Sequence, residues 1–256
     1  MFTHIWKKEI QGELYTWKSM LWLVIASLLF SFTSYLLLTN KELSLLDQTE
    51  LLWLLGKIIV GVALLILTID ASSIINVEFE RETAESLFLS PVSLRDFILG
   101  KLLASITLWA AVFLVSIPYI IVTSAGSHLA WAFIGYIALL GMLGVVGFVF
   151  LIFGISLLYR SSKNTITTSL IILLAFATPA LFTSALKNDV VSQVFSKINP
   201  IDNIFNSLDN VLVDYKISVI ENWQFLLPLV IFCAITFLFL FLSAKRFTQQ
   251  GIIRND

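Results

Sequence analysis

Long apolar runs separated by short charged stretches set the rhythm of this chain. They occupy about 20–38, 51–75, 99–123, 129–158, 165–186 and 225–243. A helix needs about 20 such residues to cross a bilayer, and in lipid only a helix or a closed barrel satisfies its own backbone. The alternating segments of about ten residues that mark barrel strands are absent. The pattern predicts an all-α polytopic membrane protein with about six transmembrane helices, so that both termini share one side. The fourth run is long enough that it must tilt, kink or project from the membrane.

Two further helices follow from periodicity. Phe2, Ile5, Trp6, Ile10, Leu14 and Trp17 recur at steps of three and four, with Lys7, Lys8, Gln11 and Lys18 elsewhere on the surface. Residues 1–19 therefore read as an amphipathic interface helix whose tryptophans suit the headgroup level. Taken alone, the pattern fits a lipid anchor as well as a docking surface. Within the segment 187–224, Asn199-Pro200 precedes Ile201, Ile204, Phe205, Leu208, Val211 and Leu212. That spacing gives a short helix, either amphipathic and dipping into the outer interface or resting on the outer rim.

Composition agrees with membrane residence: 58% of the 256 residues are hydrophobic and 13% are charged, where a soluble domain carries about 25% charge. The first apolar run begins at Met20 and no cleavage pattern follows it, so no secretory signal is expected. Net charge of −1 argues against a nucleic-acid partner. A single cysteine, Cys233, precludes an internal disulfide, and two histidines, His4 and His128, leave little for a metal site. Orientation comes from the 16 basic residues. Eleven (Lys7, Lys8, Lys18, Arg81, Arg95, Lys101, Arg160, Lys163, Lys245, Arg246 and Arg254) fall on one predicted face and five on the other. The richer face reads as cytoplasmic, with the tail 244–256 on it.

The loop 76–98 on that face carries the most specific text. A helix stops at Ser90, because Pro91 disfavours helical geometry just before it. Ser93 then caps a new helix, with Asp96 in a capping-box-like place. The product is a bracket able to pass force to a transmembrane segment. Glu80-Arg81-Glu82-Thr83-Ala84-Glu85, then Leu87-Phe88-Leu89-Ser90-Pro91-Val92-Ser93, then Gly100-Lys101 resembles the signature of ABC-2-type permeases, the membrane subunits of type-2 ABC exporters. Glu82 departs from the glycine usual there. The order of elements, from interface helix through six spans with an external helix before the last, is similar along nearly the whole chain.

The resemblance implies a six-helix transmembrane domain over 20–243, in the cytoplasmic membrane of a prokaryote. It also implies a second permease subunit, as a homo- or heterodimer, and two copies of an ABC ATPase subunit that hold ATP and Mg. The coupling residues would be Glu80, Arg81, Thr83, Glu85, Leu87, Phe88, Pro91, Val92 and Ser93. The interface helix, through Trp6, Lys7, Glu9, Glu13 and Trp17, would touch the same ATPase. The chain's own Gly-Lys pairs, Gly56-Lys57-Ile58 and Gly100-Lys101-Leu102, lack the earlier glycine and the hydroxyl of a P-loop, so no ATPase site or other cofactor is expected here. Two other readings stay open. One is a membrane subunit that transmits ATP-driven motion to an extracytoplasmic machine without moving cargo; the other is a polytopic scaffold or lipid-modifying enzyme.

Single residues carry smaller expectations. Asp70 lies inside the second span near the cytoplasmic end, where a hydrated or hydrogen-bonded structural role outweighs a transport role. Lys57 is expected to snorkel to the opposite headgroups. Gly141, Gly144 and Gly147 are expected to admit neighbouring helices in preference to lining a pore. Pro118 and Pro179 should kink their helices, and Cys233 should be a small packing or lipid-facing residue. No mid-membrane cluster of acids or histidines suggests a proton- or ion-coupled carrier or an intramembrane hydrolase.

Overall fold

A computed structural model describes residues 12, 16–40, 47–80, 94–125, 130–181, 195–214 and 221–249. All of its principal elements are helical: α1 (Trp17–Thr39), α2 (Gln48–Ile74), α3 (Asn76–Glu80), α4 (Leu94–Thr123), α5 (Ala130–Tyr159), α6 (Ser162–Leu181), α7 (Pro200–Leu212) and α8 (Trp223–Phe247). Five helices are long and apolar enough to cross a membrane: α1, α2 with α3, α4, α5 and α8. The fifth predicted span, 165–186, corresponds to α6, whose predicted continuation past Leu181 lies outside the described residues.

Boundaries moved for physical reasons. The loop read at 76–98 is helical at both margins, through Glu80 on one side and from Leu94 on the other. Asn76, whose polarity suggested a loop, is buried and donates to Ser72 O and Thr165 Oγ1, so the helix keeps going. At the amino end, Trp17 to Ser19 belong to α1, not to a separate interface helix. Residues 244–247 likewise belong to α8, not to a tail.

α2 and α5 form the centre. More than half of the most apolar stretch of each is buried, against a third or less for α1, α4 and α8. α2 touches α1, α4, α5, α6 and α7, while α8 lies along α5 over the most extensive helix–helix interface. Large side chains on the outer helices, among them Val24, Leu28, Phe32, Leu114, Ile235 and Leu238, remain exposed. Hydrocarbon is as apolar as these side chains, so such faces carry no penalty in a bilayer.

Glycines bring the helices of the core together. A Cβ on Gly141 would lie 2.4 Å from the Trp109 ring, one on Gly144 2.8 Å from Ile204, and one on Gly147 2.7 Å from Phe232. Each admits a side chain of a neighbouring helix, which is the close-approach role expected of small residues. Gly141→Ala should therefore lower stability by about 1–3 kcal/mol, because buried Trp109, stacked on Phe113, must shift. Gly135→Ala, where a Cβ meets nothing within 4 Å, should cost nothing or help slightly. Thermal unfolding in detergent measures both.

α7 seals the end opposite the basic cluster described below. Asn199 caps it, its side-chain oxygen accepting from Ile201 N at 3.0 Å, with Pro200 at the first helical position. Ile201, Ile204, Phe205, Leu208, Val211 and Leu212 are all buried, and Ile204 reaches Gly144 in the middle of α5. The polar face is buried as well. Asn203 donates to Lys197 O and Asn199 O, and Asn210 donates to Asn222 Oδ1, so these amides have partners inside the protein. The helix is enclosed by α2, α5, α6 and α8. Lys57 lies 3.4 Å from the centre of the Trp53 ring and 5.4 Å from that of Phe205, a cation–π arrangement in place of simple snorkelling.

Candidate functional site

Among the described residues, Lys18, Arg95, Lys101, Arg160, Lys163, Lys245 and Arg246 gather at one end of the bundle, called here the basic end. The last turn of α2 and the short α3 run through it and lead directly into the signature loop. This segment, 70–80, fastens to four other helices, by two ion pairs, hydrogen bonds and an aromatic contact.

The α1 contact is an ion pair. Asp70, fully buried, lies 2.6 Å from Lys18 Nζ, which also donates to Ser73 Oγ at 2.8 Å. The other carboxylate oxygen of Asp70 has no hydrogen-bond donor among the described residues. The α4 contact is a second ion pair: Lys101 Nζ is 3.4 Å from Glu78 Oε1 and 5.5 Å from the centre of the Phe97 ring. Lys101 is almost wholly buried. It is the lysine of the Gly100-Lys101 pair, so the helix after the loop is tied to the helix before it by a charge on each.

The α6 contacts are polar. Asn76 donates to Thr165 Oγ1 at 2.8 Å, and Glu80 Oε1 accepts from Ser162 N at 2.7 Å. A carboxylate at the first turn of a helix meets an otherwise unsatisfied N–H and the positive end of the helix dipole. The α8 contact is aromatic: the ring centres of Phe79 and Phe247 are 5.3 Å apart, and the Arg160 guanidinium sits 5.0 Å from the centre of the Phe247 ring. Arg160 turns the chain from α5 to α6 with a φ of 53°, a left-handed conformation that few non-glycine residues adopt.

Of the predicted coupling residues, Glu80 is placed at this hub with Oε1 committed to α6. This carboxylate, expected as a charge partner for the ATPase, also has a partner inside its own chain. Arg81, Thr83, Glu85, Leu87, Phe88, Pro91, Val92 and Ser93 lie outside the described residues, as do Trp6, Lys7, Glu9 and Glu13. Trp17 opens α1 with most of its surface exposed. Asp70, expected to be hydrated or hydrogen-bonded, is fully buried and ion-paired. Cys233 donates to Leu143 O at 3.2 Å and so bridges α8 and α5.

The pairing of Lys18 with Asp70 escaped the sequence reading, as did the places of Glu78, Phe79, Ser162, Thr165 and Phe247 at the hub. A signal existed for Glu78. A lysine well inside an apolar helix needs a counter-ion at its own depth, and Glu78 lies at the facing end of the preceding helix. The contacts of Phe79 and Phe247 join residues far apart in the chain and leave no local trace. No family model matches this chain, and no curated protein shows significant similarity to it.

Proposed function

We propose that this chain is the permease subunit of an ATP-binding-cassette exporter in the cytoplasmic membrane of a prokaryote. It crosses the membrane six times, with both termini cytoplasmic. Two copies of a separate ATPase subunit dock on the loop 81–93 and supply ATP and Mg, and a second permease subunit completes the pathway. The observation that carries the reading is the hub at 70–80. The segment entering the signature loop is bonded to α1, α4, α6 and α8 together. A displacement of the loop therefore moves four helices at once, which is what an element coupling a soluble motor to a membrane domain requires.

In this reading Phe88 and Leu87 form the apolar knob held by the ATPase, with Glu85 and Arg81 beside it. Buried aromatic anchors dominate such interfaces, and losing one costs about 2 kcal/mol or more. Phe88→Ala should weaken ATPase recruitment accordingly, or uncouple hydrolysis from transport, with membrane insertion unchanged. Pro91→Ala should misaim the bracket by letting its first helix run on, and Leu43→Ala in the opposite loop should do neither. Copurification with the neighbouring ATPase and ATP-driven transport in reconstituted vesicles are the assays. Robust hydrolysis by the purified chain alone, or normal coupled transport by Phe88→Ala, would sink the proposal. α7 favours a second reading, in which motion is relayed outward without cargo: it plugs the far end of the bundle among four helices. The same vesicles separate the two, since the second gives coupled hydrolysis with no transport of any candidate cargo.

A further inference from the structure

At the basic end, α4, α5 and α8 leave a groove of about 650 Å³. Its floor is apolar, built from Ile98 and Leu102 of α4, Phe150 of α5, and Leu240 and Phe241 of α8. Arg95, in the first turn of α4, and Lys245, in the last turn of α8, stand on its rim. Both are exposed, and neither pairs with an acid among the described residues. Three other cations of the basic end are matched internally, Lys18 by Asp70, Lys101 by Glu78 and Arg160 by the Phe247 ring, while Lys163 and Arg246 do not line the groove. Arg95 and Lys245 are spent on none of these.

The surroundings decide what the groove holds. Phe237, Phe241 and Leu242 beside it are each more than half exposed. In a chain whose long helices cross a bilayer, such a face meets hydrocarbon. The groove therefore opens sideways toward lipid, and an acyl chain can enter it without passing through water. The cations sit where α4 begins and α8 ends, the level at which spanning helices meet headgroups. A soluble anion would satisfy the rim but leave the apolar trough open; a neutral lipid would fill the trough but leave two cations unmatched. Basic pockets between spanning helices are suited to anionic headgroups, and the groove's size falls within the range of about 300–1,000 Å³ usual for ligand sites.

We propose that this groove is a binding site for an anionic phospholipid, with an acyl chain lying in the trough and the phosphate held between Arg95 and Lys245. The site stands apart from the exporter reading, since it needs only a bilayer around the apolar helices. It gives α4 and α8 a common non-protein ligand at the point where both approach the coupling hub.

The test uses the full chain in phosphatidylcholine vesicles doped with phosphatidylglycerol that carries a photoreactive group on its acyl chain. Labelled peptides should map to 94–102 and 237–248. Unlabelled phosphatidylglycerol should compete roughly tenfold better than phosphatidylcholine, as expected of two headgroup-facing cations. Arg95→Gln combined with Lys245→Gln, both at exposed positions, should erase that preference. Ala244→Trp should block the trough and abolish labelling there; if it fails to fold, as thermal unfolding would show, Leu99→Trp fills the trough from the α4 wall. Equal competition by the two lipids in the wild-type chain would overturn the proposal. So would displacement by inorganic phosphate, labelling confined to other helices, or cross-links showing residues 250–256 or a second copy of the chain in the groove.

Discussion

Lys18→Met is expected to cost roughly 3 kcal/mol of stability, because it strands a carboxylate in the protein interior. Asp70 has no exposed surface, and its second oxygen already has no hydrogen-bond donor among the described residues. Lys18 is itself 43% exposed, so much of the cost comes from the uncompensated acid and little from the attraction lost. For a chain of this size the melting temperature should fall by roughly 6–12 °C, at about 2–4 °C per kcal/mol. Asp70→Asn should cost less, since the amide carries no charge and Lys18 can return to water. Combining Lys18→Met with Asp70→Leu should recover most of the loss, as exchanging a buried ion pair for apolar groups often does. If Lys18→Met melts like wild type while Asp70→Asn does not, the acid has another partner and the pair is incidental.

Lys101→Met is expected to reduce the response of ATP hydrolysis to cargo about tenfold, within the range given by a coupling free energy of ~1–3 kcal/mol. This follows from the proposed function. Lys101 joins α4 to Glu78 on the other leg of the bracket, so removing it frees one leg from the other. Recruitment of the ATPase should survive, because the knob residues are untouched. That split separates a transmission fault from a docking fault, which Phe88→Ala would produce. The exchange of Glu78→Lys with Lys101→Glu should restore part of the response by rebuilding the pair in reverse. Equal loss of recruitment and response in Lys101→Met would assign the lysine to docking or folding, not to coupling.

Much of the helical plan was legible because hydrophobic length is a strong local signal. The same signal failed at the margins of the 76–98 loop. Val77, Glu78, Phe79 and Glu80 look like solvated loop text, yet they continue as helix because each polar group finds a partner on another element. α7 shows a related limit. Its period and its Asn199-Pro200 start announced the helix, but amphipathicity reports the contrast between two faces and not the depth at which both lie. Asn203, Ser207 and Asn210 are buried because Lys197, Asn199 and Asn222 supply partners that no pattern within 200–212 could reveal. At the candidate site, Gly100-Lys101 was visible as text, while its partner Glu78 appeared only as one acid among several. The knob of the loop rests on resemblance, whereas the fastening of the segment 70–80 to the bundle rests on geometry.

The contact between α5 and α8 bears on how the protein is made. Gly147 receives Phe232, and Gly154, seven residues on, receives Phe239, seven residues on in the other helix. The two helices mesh as knobs into holes, yet α8 is synthesised well after α5. α5 is therefore made before the two rings that fill its sockets exist, and α6 and α7 are added in between. A chain stopped before Trp223 would display an open row of glycines where a finished molecule has two phenyl rings.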